Sequence, residues 1–157
     1  MKITKKFVFF WDGIYSQWTP DKIQIDRTYF SSCEQYMMYS KAKLFGDHEA
    51  EREIMYSKSP MEQKEIGRRI KNFDRDVWDR HCAAIVYRGN YAKFSGNLFL
   101  KKELLDTGNR IIVEASPYDK IWGIGMGEDE KGIEDPANWK GLNLLGQIIM
   151  NVREVLR

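Results

Sequence analysis

Apolar and polar positions follow a strand-like pattern near the start of the chain and again near residue 110. Residues 6–11 (KFVFFW) form a short apolar run that predicts a strand. Residues 22–30 (KIQIDRTYF) predict another, with Ile23 and Ile25 alternating with polar neighbours and a polar turn at Asp26-Arg27. From Ser31 the period lengthens. Met37, Met38, Ala42, Leu44 and Phe45 recur at helical spacing before Gly46, and Ser31 with Glu34 fits a capping box, so a helix is predicted over 32–45. A second helix is expected over 48–57. Ser59-Pro60-Met61-Glu62 then combines an N-cap, a proline at the first helical position and a capping-box glutamate.

Farther along, Val77, Trp78, His81, Ala84, Ile85 and Arg88 are spaced by three and four, which predicts a longer helix over 74–92. Another should cover 97–106 and end at Gly108. The run RIIVEAS at 110–116 is β-branched and ends at a proline, as a buried strand does. Residues 117–141 are rich in glycine and show little periodicity, and helical spacing resumes over 143–156. A long irregular loop in a small domain is more often functional than idle. The predicted architecture is α+β and mostly helical with a small β-sheet, in a single domain spanning 1–157. No repeat, low-complexity segment or linker argues for a second one.

Composition narrows the function classes. The 157 residues are 43% hydrophobic and 31% charged, enough for one sizeable core. A formal net charge of +2, with both signs interspersed, gives no footprint for an extended polynucleotide. Cys33 and Cys82 lack the spacing of a zinc site or a disulfide framework, so reduced thiols in a cytosolic protein are expected. The apolar run FVFFW is too short for a signal peptide and meets Asp12 at once, and no stretch has the length of a membrane span.

On the first predicted helix Glu34 and Lys41 are seven residues apart, so they share a face, with Met38 between them. Glu34 either completes the capping box with Ser31 or points into a cleft; Lys41 is either solvated or part of the same face. Trp78 is either core or a platform for a flat base. His81 and His48 offer no metal pair. The segment from Glu114 to Gly127 is the richest, with carboxylates Glu114 and Asp119, the aromatic Trp122, and glycines 123, 125 and 127 that would let a ligand approach the backbone. The glycines lack the GxGxxG spacing, and phosphate-loop, Ser/His/Asp and HExxH patterns are absent. Carboxylates with tryptophans and lysines suit cleavage of a sugar bond, in which positive charge grows on the ribose.

The blocks SSCEQYMMYSKAKLFGD, SPMEQKEIGRRI, the tryptophan of DVWDRH, AKF, LLDTG, IIVEASPYDKIWGIG and WKGLNLLGQIIMNVRE occur in an order that resembles the NADAR family, also called YbiA-like, from about Phe9 to Leu156. The resemblance implies N-glycosidases that hydrolyse early phosphoribosylated intermediates of riboflavin biosynthesis. Other members are tied to removal of ADP-ribose from nucleobases. A third reading is a module that binds ADP-ribose or NAD without turnover.

By motif, Glu34 takes the place of the family's active-site glutamate, with Gln35 where many members have histidine. Lys41, Trp78 and Lys93 match positions expected to bind substrate, as do Trp122, Gly123 and Asn143. Asp119 is the second candidate catalytic carboxylate. Gly141, Gly146 and Arg153 match the C-terminal block. Ser16, also expected at the substrate, opens Ser16-Gln17-Trp18 where members often have Ser-Asn-Phe, a departure expected to alter substrate choice. The partners implied are a small phosphoribosyl or ADP-ribosyl molecule, no membrane, and nucleic acid only as the carrier of an ADP-ribosylated base. No cofactor or metal is expected.

Overall fold

A computed structural model describes residues 1–157. In chain order the elements are β1 (Lys2–Ile3), β2 (Phe7–Phe10), β3 (Ile23–Ile25), β4 (Thr28–Phe30), α1 (Cys33–Leu44), α2 (His48–Tyr56), α3 (Pro60–Arg68), α4 (Arg75–Gly96), α5 (Leu98–Asp106), β5 (Ile111–Glu114) and α6 (Leu144–Leu156). Short 3₁₀ turns lie at Gly13–Tyr15 and Pro136–Asn138. Six helices and two small sheets make an α+β, mostly helical chain. It divides into two compact units, one of residues 17–96 and one of residues 1–16 with 97–157.

The discontinuous unit is organised by β2. All four of its residues are buried, so polar pairing along both edges is needed. β1 supplies one edge antiparallel. β5 supplies the other in parallel, with Phe7 opposite Ile111 and Phe10 opposite Glu114. Phe7, Phe9, Val113 and Ala115 then share a core with Ile124, Met126 and Ile133 from the following loop. α6 buries Leu145, Ile148, Ile149 and Val152. It crosses β5 at Gly146, where a Cβ would overlap the carbonyl of Ile112.

The continuous unit is built around α1, which buries every residue from Cys33 to Met38. The half of a helix that is enclosed on all sides needs no apolar stripe, and from Cys33 to Met38 polar and apolar residues are buried alike. α3 approaches α1 at Gly67, against Met38, and α4 approaches it at Gly89, against Tyr36. The segment 22–30 is a hairpin, β3 antiparallel to β4, reversed at Asp26 with a positive φ of 54°. Ile23, Ile25 and Phe30 from it pack on Cys33 and Tyr36.

Where one strand was predicted over 22–30 there are two, and the other predicted elements are present with shifted ends. α4 extends to Gly96, one turn beyond the predicted end. The start of α1 is a correction: the N-cap is Ser32, not Ser31, and its side chain accepts from the amide of Gln35, not of Glu34.

Candidate functional site

That one-residue shift decides what Glu34 does locally. Ser32 Oγ accepts from Gln35 N at 3.1 Å, and Gln35 Oε1 accepts at 2.7 Å from the amide of Ser31, one residue before the N-cap, so Gln35 and not Glu34 reaches back over the helix start. The capping explanation for Glu34 is therefore replaced. Its carboxylate lies in the first turn of α1, only 6% exposed, and its amide donates to Gln17 O at 2.9 Å. Gln35 also donates through Nε2 to Ile54 O at 3.0 Å and to Ser57 O at 3.3 Å, tying the start of α1 to the end of α2. A histidine at position 35 could not offer one acceptor and two donors in this way.

Gln17 is held in turn by Asn90 of α4. The two carboxamides exchange hydrogen bonds, Gln17 Nε2 to Asn90 Oδ1 at 3.1 Å and Asn90 Nδ2 to Gln17 Oε1 at 3.2 Å. Asn90 is fully buried and donates a second bond to Val86 O. In the sequence Gln17 stands out only as part of Ser16-Gln17-Trp18, and Asn90 not at all. Asn90 lies at a core-facing helical position, where a polar residue amid apolar ones was the available signal.

Lys41 and Trp78 are brought together. Lys41 Nζ lies 5.4 Å from the centre of the Trp78 ring and 4.6 Å from that of Phe73, and it donates to Gly67 O at 2.7 Å. Burial pushes its pKa down, the positive charge of Arg75 pushes the same way, and Glu34 opposes both. Glu34 thus acts electrostatically on Lys41, as their shared face requires. Trp78 is buried on α4.

Lys93, also on α4, is 2% exposed, and burial lowers its pKa against the opposing pull of Cys33 and Asp21. Its ammonium lies 5.5 Å from the Phe94 ring centre. The Cys33 thiol is pushed up to about 11 by the same burial, with Lys93 pulling it back.

The discontinuous unit holds the other candidates. The loop after β5 is pinned along its length. Ile124 N donates to Glu114 O at 3.0 Å, Lys140 N to Ile124 O at 2.8 Å and Leu145 N to Trp122 O at 3.1 Å. Asp119 Oδ1 accepts from the amides of Ile121 at 2.8 Å and Trp122 at 2.7 Å, so this oxygen is committed to the turn that presents Trp122. Trp122 itself is half-buried. Gly123 is buried where a Cβ would come within 2.9 Å of Glu114 O.

Asn143 precedes α6 in the left-handed conformation, φ 52°. Its Oδ1 accepts from Glu114 N and its Nδ2 donates to Ile112 O, both at 2.9 Å, so its carboxamide continues the pairing of β5 where no strand follows. Arg153 is also internal, donating to Thr107 Oγ1 and Arg110 O at 2.8 Å each. Ser16 closes the first 3₁₀ turn, its amide on Gly13 O. No group of three or more His, Cys, Asp or Glu side chains is placed to hold a metal ion, and no helix is long and apolar enough to cross a membrane.

Comparison with known proteins gives this geometry its relatives. An N-glycosidase of Acanthamoeba polyphaga mimivirus is 44% identical, covering 96% of each chain. The chloroplastic riboflavin biosynthesis protein PYRR of Zea mays is 35% identical over 91% of this chain but only 23% of its own length. The NMR structure of the E. coli protein YbiA superposes with a TM-score of 0.79 at 26% identity, covering 99% of this chain and 87% of that one. The model of the NADAR domain matches residues 7–157. The chain belongs to the NADAR family.

Proposed function

We propose that this protein is a cytosolic N-glycosidase that hydrolyses the bond between ribose and base in a phosphoribosylated metabolite of the kind formed early in riboflavin biosynthesis. The observation that carries this reading is Glu34. It is a buried carboxylate at the start of a core helix, relieved of capping by Ser32 and Gln35, with Lys41 and Trp78 in the same unit. The near-full-length similarity to an N-glycosidase and the riboflavin name of the maize relative support it.

As the C–N bond breaks, its electron pair leaves with the base and positive charge develops at the anomeric carbon. The Glu34 carboxylate stabilises that charge and orients water. Water adds its oxygen to the anomeric carbon and keeps one proton as the new hydroxyl, while its other proton passes through the carboxylate to the departing base. A carboxylate that is already fixed by its helix does this without reorganising, which is why its burial matters. Trp78 offers an aromatic wall for the flat base, and Asp119 shapes the turn of Trp122.

The test is to incubate the protein with a phosphoribosylaminopyrimidine, ADP-ribose, NAD and ADP-ribosylated guanine and to follow base release by liquid chromatography. Release from the first, lost in Glu34→Gln, is expected. Binding without release would identify a recognition module instead. Release only from ADP-ribosylated guanine would move the activity to modified nucleobases.

A further inference from the structure

Lys41 sits two turns beyond Glu34 on the same helical face, about 10 Å along the axis. It is not the only cation there. The guanidinium of Arg75 lies 5.6 Å from the centre of the Phe73 ring that Lys41 also faces. Arg68 directly follows Gly67, whose carbonyl accepts from the Lys41 ammonium at 2.7 Å. Arg75 and Arg68 both disfavour the Lys41 charge, and Glu34 favours it.

The cations nearby have exposed carboxylate partners, surface pairs that are individually weak. Arg69 pairs with Glu53, and Lys71 with Glu49. Arg68 makes no ion pair. Arg75 has only Asp79, at 3.7 Å, with the two side chains 63% and 58% exposed, a surface pair worth little and readily exchanged. Lys41 and Arg75 share the Phe73 ring and Arg68 adjoins the carbonyl that holds Lys41, so like charges gather that an anion would relieve.

We propose that Lys41, Arg68 and Arg75 form a phosphate seat that takes the 5′-phosphate of the ribosyl substrate while Glu34 faces its anomeric carbon. This rests on the N-glycosidase reading for its substrate. A guanidinium grips two phosphate oxygens at once and an ammonium adds a point charge, so Arg75 supplies direction and Lys41 strength. Arg68 and Arg75 thereby set the requirement for a phosphorylated sugar.

The experiment titrates ribose 5-phosphate and inorganic phosphate into wild type, Glu34→Gln and the double variant Arg68→Gln/Arg75→Gln by calorimetry. It also compares steady-state kinetics on phosphorylated substrate and its dephosphorylated analogue. Both arginines are exposed, so the double variant keeps its fold, which a melting curve checks. Glu34→Gln should bind ribose 5-phosphate as wild type does. The double variant should bind it at least about tenfold more weakly and raise KM for the phosphorylated substrate alone, leaving kcat near normal. Unchanged affinity in the double variant, or no binding of ribose 5-phosphate by wild type, overturns the seat. Normal turnover by Glu34→Gln would instead overturn the catalytic reading while the binding result still judged the seat.

Discussion

Replacing Ser32 with alanine and Glu34 with glutamine should separate two properties that the sequence alone leaves entangled. Ser32 Oγ is the acceptor for Gln35 N, and the residue is 1% exposed, so no water replaces it in Ser32→Ala. Loss of such a cap costs about 1 kcal/mol and up to about 2 in buried settings. For a chain of this size each kcal/mol lowers Tm by about 2–4 °C, so a fall of about 2–8 °C is expected, with kcat largely kept. Glu34→Gln preserves side-chain volume and the amide bond to Gln17 O, and it leaves the cap intact, so its Tm should stay within about 2–4 °C of wild type. Its kcat should fall on the order of 10²-fold or more, about 3 kcal/mol of barrier. Scanning calorimetry and single-turnover base release on the same preparations measure both effects. A Glu34→Gln protein that melts as low as Ser32→Ala yet turns over normally would refute the reasoning and return Glu34 to a structural role.

Gly146→Ala should destabilise the chain. An alanine in the first turn of α6 gains at most about 1 kcal/mol in propensity, but the collision with the Ile112 carbonyl costs more. Gly96→Ala, whose Cβ meets nothing within 4 Å, should instead be neutral or stabilising, and urea titration of both checks the contrast. With its pKa at about 11, Cys33 should be a thiolate at roughly a thousandth of its population at pH 8 and stay unlabelled by a disulfide reagent until the protein unfolds; prompt labelling in the native state would contradict this.

The Asp47 carboxylate is held below its usual range by the amides of Lys71 and Ala50. Its stabilisation is therefore complete above the unfolded value near 4 and is lost as pH falls through the lowered folded value. Wild type should accordingly lose more Tm between pH 6 and 3 than Asp47→Asn does; equal losses would show that the carboxylate is not linked to folding.

Elements whose signals are local were legible in the sequence. The Ser59-Pro60 start, the helices at 48–56 and 144–156 and the strand at 111–114 each depend on a cap, a periodicity or a β-branched run, and they fall within a residue or two of expectation. Capping at α1 was ambiguous, because Ser31 and Ser32 are adjacent and Glu34 and Gln35 both suit the third position. Only the β-conformation of Ser32 and the burial of Gln35 resolve it. The lysine and tryptophan of the candidate site were visible as residue types, but their meeting was not, since it depends on how α1, α3 and α4 pack. Asn143 shows the opposite case. Its match to the family motif could not reveal that both ends of its carboxamide are taken by β5 backbone.

The parallel pairing of β2 with β5 also has a consequence for how the chain is made. Phe10 and Ile111 are about a hundred residues apart, so at translation rates of 5–20 residues per second β2 waits roughly 5–20 s for its second neighbour. Throughout that interval Phe7–Phe10, four consecutive apolar residues, have only the two-residue β1 beside them and present an open edge on the nascent chain. Residues 17–96 meet no such delay, because their contacts close within one continuous stretch. β1 and β2 therefore precede residues 17–96 in the chain yet belong to the unit completed after them, and the period before Ile111 leaves the ribosome is when their open edge is most prone to aggregation.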